Sequence, residues 1–142
     1  MKSNYKYLDH TADILFEARA PTVEQLFEQC ALAVEEAMVE LKTVGKSKKQ
    51  SIKAEGSTLE KLLFDFLNEL VYLKDAEQFL GRNFDVSVVQ TEVGYILKCN
   101  ASGEKINTQK HHLKVDVKAI TLHLFTVEKI KDGWKATVLM DI

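Results

Sequence analysis

The sequence predicts an α+β domain, a mainly antiparallel β-sheet of about eight strands with two long amphipathic helices. Three observations lead there. Two stretches, Val23 to Leu41 and Leu59 to Val71, carry apolar residues at three- and four-residue spacing, the period of a helix face. Most remaining segments alternate apolar and polar residues over a strand's length. Turn signals such as Val93-Gly94 and Asp132-Gly133 join those segments closely, which suits hairpins and antiparallel pairing.

Lys6 to Leu8 reads as a short strand and Ile14 to Ala20 as a second, with Ile14, Phe16 and Ala18 on its buried face. Pro21-Thr22 stops it, and Thr22 with Gln25 makes a capping-box start for the first helix. Its stripe is Val23, Leu26, Phe27, Cys30, Ala31, Val34, Ala37, Met38 and Leu41, and Glu24, Glu28, Glu35 and Glu36 are assigned to its wet side. Lys46, Lys48 and Lys49 lie in a solvated loop before an edge strand at Gln50 to Glu55. Ser57 and Glu60 form a second capping box. The second helix then carries Leu59, Leu62, Leu63, Phe66, Leu67, Leu70 and Val71, with Asp65, Asn68 and Glu69 as a solvated flank. Phe84, Val86 and Val88 alternate as a strand, and Tyr95 to Ala101 returns beside it. Gly103 to His112 is polar and irregular. Val115 to Glu128 changes register near Ile120-Thr121, which predicts a bulge there, and Trp134 to Met140 completes the sheet.

Composition narrows the function. With 142 residues, 46% apolar and 28% charged, the chain fits one domain, 1–142, that buries roughly two thirds of its unfolded surface. Its apolar runs are too short to span a bilayer, and Met1-Lys2-Ser3-Asn4 precedes no signal-like stretch, so a cytoplasmic location is expected, with the nucleus an alternative if the source is eukaryotic. A formal net charge of −2 lacks the basic excess of a nucleic-acid binder, so contact with RNA is expected to run through another protein. Cys30 and Cys99 have no metal or redox spacing and read as small buried hydrophobes. His10, His111, His112 and His123 form no zinc pattern, His123 reading as a core or flank residue, and no nucleophile elbow or phosphate loop is present.

Chemistry concentrates in Leu8-Asp9-His10-Thr11-Ala12-Asp13. If extended, this segment turns Asp9, Thr11 and Asp13 to one face, an oxygen-only set that suits a hard cation; the alternative is a turn in which Asp and Thr bond their own backbone. At the other end, Asp141 adds a carboxylate next to the terminal one. If the Asp13 loop meets this end, three oxygen donors converge as a partial shell for calcium or magnesium.

Tyr7-Leu8-Asp9-His10-Thr11-Ala12-Asp13, Phe27-Glu28-Gln29-Cys30-Ala31-Leu32-Ala33, Leu63-Phe64-Asp65-Phe66-Leu67-Asn68-Glu69-Leu70, Val117-Lys118-Ala119-Ile120-Thr121 and Asp141-Ile142 together resemble the archease family, in order from near residue 5 to the last. The resemblance implies an accessory protein, not itself an enzyme, that activates an RtcB-type RNA ligase in tRNA splicing and RNA repair. It would accelerate guanylylation of the ligase histidine by GTP and support repeated turnover. It also implies a divalent metal site, assigned as calcium with magnesium and manganese as alternatives, on Asp13, Asp141 and Ile142. Lys118 matches a family lysine that matters for activation, and Asp9 and His10 fall to the partner side of the site. Leu122 stands where the family usually has Tyr. A monomer is expected, with no membrane contact. The competing readings are a metal-dependent phosphodiesterase or hydrolase and a chaperone-like interaction module.

Overall fold

The computed structural model describes all 142 residues, in seven strands and two helices. In chain order they are β1 (Asn4–Leu8), β2 (Ile14–Ala20), α1 (Val23–Met38), β3 (Lys48–Gly56), α2 (Leu59–Glu77), β4 (Phe79–Thr91), β5 (Gly94–Lys105), β6 (Ala119–Ile130) and β7 (Gly133–Asp141). A single 3-10 turn covers Leu41–Thr43. Every strand pairing is antiparallel, and the strands form two sheets, β1-β2-β7-β6 and β3-β5-β4. The α+β class read from the sequence is the one adopted. Seven strands replace about eight because the run from Val115 to Glu128 makes one strand, beginning at Ala119; the chain before it touches a sheet-like partner only at the isolated bridge Val39–Leu113.

Local chemistry sets the element ends. Thr22 caps α1 as expected, its hydroxyl accepting from the Gln25 amide at 3.2 Å. The helix stops at Met38 rather than Leu41. Val39 bridges Leu113 and the Glu40 amide donates to the His112 carbonyl, so the next turn is drawn into other pairing. Thr58, not Ser57, caps α2, accepting from the Lys61 amide at 3.1 Å. The hairpin turns also sit one residue earlier than their dipeptide signals. Glu92-Val93 closes the pair Thr91 with Gly94, and Lys131-Asp132 closes Ile130 with Gly133, Asp132 adopting φ 67. Gly133 is required for close approach instead: a Cβ there would lie 2.4 Å from the Ala20 carbonyl oxygen of the neighbouring β2.

Both helices pack against both sheets, and one core of 32 buried residues joins them. On β7 it takes Ala136, Val138 and Met140, on β2 Phe16, Ala18 and Ala20, and on β5 Leu97, Cys99 and Ala101, with Lys98 and Asn100 exposed between them. Cys30 and Cys99 are buried free thiols, as expected, and burial pushes Cys99 up to about 12. The bulge in β6 falls just after the expected point. Pairing with β7 jumps from Thr121–Leu139 to Thr126–Thr137, so residues 122–125 stand opposite Val138 alone, and Leu124 adopts φ 59. His123 lies exposed on this bulge, outside the core. No helix is long and apolar enough to cross a membrane.

Three polar residues of the helices, Glu35, Asn68 and Lys74, are turned to internal positions. Asn68 is half-buried and is taken up below. Glu35 is 1% exposed, and neither of its carboxylate oxygens has a hydrogen-bond partner. Burial pushes its pKa up to about 8, against a smaller opposing pull from the Gly81 amide, which stands short of hydrogen-bond geometry, and from the Lys74 charge. Between the usual carboxylate value and about 8 the folded chain therefore holds a proton that the unfolded chain has released. Stability falls as pH rises through that window, by about 1.4 kcal/mol per pH unit. Glu35→Gln is expected to flatten the fall. Urea unfolding at pH 5, 6.5 and 8 checks it, and equal pH slopes for the two proteins would contradict the assignment.

Candidate functional site

The pairing of β2 with β7 brings the two ends of the chain together. Ile14 opposes Met140 as the last pair of the ladder, so Asp13 and Asp141, each one residue beyond it, lie at the same end of the sheet. On the other flank of β7, Ala119 opposes Asp141 and the Lys118 amide donates to the Asp141 carbonyl at 2.8 Å. Asp13, Asp141 and Lys118 thus occupy one end of the four-stranded sheet, on three adjacent strands or their immediate extensions. Ile142 follows Asp141 and packs half-buried against the core, which anchors the end of β7.

The loop carrying Asp9, His10 and Asp13 is not an extended segment with two faces. Residues 11–13 bend, and Ala12 adopts φ 69, a left-handed conformation that costs a non-glycine residue on the order of 1 kcal/mol. Tyr7, at the base of the loop, donates to the Ala33 carbonyl at 2.7 Å and so ties β1 to α1. Asp9, His10 and Thr11 are exposed. The turn geometry is present without the turn chemistry, because no side chain from Asp9 to Asp13 bonds the loop backbone. Asp9, Asp13 and Asp141 form no ion pair, and neither does the Lys118 ammonium.

Carboxylates set side by side without an internal cation fit a hard divalent ion in donor type. Asp13 and Asp141 would supply only part of a coordination sphere; no three His, Cys, Asp or Glu side chains are grouped as a metal shell, so Asp9 does not join them in one. Asp13 also lines a groove of about 350 Å³ with Tyr7, Ile14, Glu36, Lys114 and Val115, which neither Asp141 nor Lys118 borders.

The polar loop after β5 is organised by Glu104. Its carboxylate accepts from Lys110 at 2.6 Å, from buried His111 Nε2 at 2.9 Å and from the Gly45 amide at 2.6 Å, and these donors hold its pKa down at about 2. Since His111 Nδ1 accepts from the Asn107 amide at 3.0 Å, the ring is neutral, with its proton on Nε2. This histidine is committed to the loop's shape.

Two residues of α2 hold the chain on either side of Lys118: Lys74, and Asn68, which the sequence assigned to a solvated flank and which is instead half-buried and bonded to Ile120. Lys74 is 8% exposed and bonds Asp116 at 2.5 Å, Asp75 at 2.7 Å and the Val117 carbonyl at 2.8 Å. Burial works against its charge, but Asp116 and Asp75 outweigh that, and its pKa is raised. Asn68 Oδ1 accepts from the Ile120 amide at 3.2 Å while its Nδ2 donates to the Phe64 carbonyl at 3.1 Å. A signal for Lys74 existed, since it falls four residues after Leu70 on the apolar stripe; Asn68 offered none.

Fold and site together define a small single-core α+β domain whose acidic end is built from its first loop and its last strand. Residues 5–142 match the Archease protein family (MTH1598/TM1083). The protein archease of Pyrococcus abyssi (strain GE5 / Orsay) is 40% identical over 139 residues, which cover 97% of this chain and 98% of that one. The protein archease of Methanosarcina mazei is 38% identical, covering 97% and 95%. The solution structure of Methanobacterium thermoautotrophicum protein 1598 superposes with a TM-score of 0.85 at 28% identity, over 97% of this chain and 98% of that one. The crystal structure of an archease, possible chaperone (TM1083), from Thermotoga maritima shares the fold with a TM-score of 0.62 at 20% identity, over 96% of each chain. The chain belongs to the archease family.

The Glu104 contacts have a signed pH consequence. A carboxylate whose pKa is held low contributes stability above the usual carboxylate value and loses it as pH falls toward about 2. Glu104→Gln is expected to lower the urea midpoint at pH 7 and to match the unaltered protein near pH 2. A midpoint difference of the same size at both pH values would contradict this account of the loop.

Proposed function

We propose that this protein activates an RtcB-type RNA ligase, promoting GTP-dependent guanylylation of the ligase and its repeated turnover in tRNA splicing and RNA repair. The observation that supports the reading is the meeting of Asp13, Asp141 and Lys118 at one sheet end, with the carboxylates unpaired. A divalent ion, calcium or in its place magnesium or manganese, would be held by Asp13, Asp141 and, as the resemblance has it, Ile142. Such an ion supplies a charge template for nucleotide phosphates. The chain's own residues do the presenting. Asp9 and His10 stand exposed on the loop beside the site and would meet the ligase, and the unpaired Lys118 ammonium would balance the carboxylates or meet a phosphate. Leu122, 70% exposed where the family usually has Tyr, brings no phenol to this surface. RNA would be reached through the ligase alone, by a monomer in the cytoplasm with no catalytic residue of its own.

A second reading follows from the Thermotoga maritima structure described as a possible chaperone. On that reading the acidic end only docks, many clients bind, and GTP is irrelevant.

The deciding experiment mixes this protein with an RtcB-type ligase, GTP and manganese and scores ligase guanylylation and multiple-turnover joining. The unaltered protein is expected to stimulate both. Asp13→Ala and Asp141→Ala are each expected to lose most of that stimulation while remaining folded, and wild-type stimulation by both variants would end the proposal.

A further inference from the structure

Lys74 is the one buried lysine or arginine in the chain. A buried ammonium is tolerated only when its three protons are all used, and here they go to Asp75 on the same helix and to Asp116 and the Val117 carbonyl on the chain leading into β6. Asn68, less than two turns earlier on α2, takes the Ile120 amide of the same chain. The two grips match in spacing. The helix rises about 9 Å from Asn68 to Lys74, and extended chain covers about 10 Å from Val117 to Ile120. The order is reversed, Asn68 holding the later residue and Lys74 the earlier, so helix and strand run antiparallel.

Lys118 lies between the two grips, and its own amide is the one that reaches the Asp141 carbonyl. The Lys114 and Val115 amides tie the preceding stretch to the Met38 and Ala37 carbonyls of α1, but Asp116 and Lys118 are exposed, and from Asp116 to Ile120 only Val117 and Ile120 are buried. We infer that Asn68 and Lys74 are positioning residues for the acidic end, a two-point clamp on α2 that fixes Lys118 against Asp141. Its bearing on ligase activation rests on the function proposed above. The bearing on geometry does not.

Backbone amide exchange of the full chain, followed residue by residue, reads the geometry, and the ligase mixing assay reads the activity. In Asn68→Ala and Lys74→Met the Lys118 amide is expected to exchange about tenfold faster, the effect of losing one hydrogen bond of ordinary strength, with the amides of β3 and β5 unchanged. Stimulation at saturating activator is expected to fall in both. Asn68→Asp keeps the acceptor for the Ile120 amide but loses the donor to the Phe64 carbonyl, so exchange and stimulation are expected to fall between those of Asn68→Ala and of the unaltered protein. Unchanged Lys118 exchange in folded Asn68→Ala would overturn the clamp whether or not Lys74→Met folds, and so would faster exchange spread evenly over β3 and β5. Where the unaltered protein fails to stimulate the ligase, the functional reading falls and the exchange result alone decides the clamp.

Discussion

The antiparallel pairing of β2 with β7 is the contact on which the acidic end depends. Its register is set by burial. Phe16 with Val138 and Ala18 with Ala136 all turn to the core, and a slip by one residue would carry each of them to the opposite face. Asp13 and Asp141 come to the same sheet end because of those apolar pairs, each one residue beyond the last pair, Ile14 with Met140. Two carboxylates placed at one sheet end by a packed core make no ion pair within the chain, and Lys118 lies on the same end as the cation available to balance them.

The same strand draws in the third element. With β2 on one side and β6 on the other, β7 is flanked where it ends, and the start of β6 is fixed by α2 as well as by β7. The acidic end is thus supported from beneath by a helix and along both edges by backbone bonds, while the β1–β2 loop above it contains a strained Ala12 and no side-chain bonds of its own. A firm base under an exposed, lightly held loop suits recognition by another protein, since the loop adapts while the residues beneath it keep their places.

Much of this was legible in the residues. Helix faces, the Thr22 cap, the buried cysteines and most strands follow from periodicity and capping chemistry, which act locally and leave a trace in neighbouring residues. The nearness of Asp13 to Asp141 was expected only as a condition, because strand order is a property of the whole sheet. The misplacements share a cause. Helix α1 ends early because the distant His112 and Leu113 capture its last residues, and the hairpin glycines are paired strand residues that serve close approach instead of the turns. Glu35 and Lys74 were visible as charges on apolar stripes, Glu35 between Ala31 and Met38 and Lys74 after Leu70, yet a charge is ordinarily assigned to water. Asn68 was illegible, since its partner amide lies on a strand far away in sequence.

The central claim is that carboxylates from opposite ends of the chain act as one cation site. Paramagnetic broadening of backbone amide signals during a manganese titration tests it most directly. The amides of Asp13 and Ile14 and those of Asp141 and Ile142, with Lys118 and Ala119 beside them, should broaden together at the lowest manganese concentrations, before regions remote from this sheet end respond. Broadening that begins at another acidic group, or that reaches Asp13 and leaves Asp141 sharp, would contradict the account.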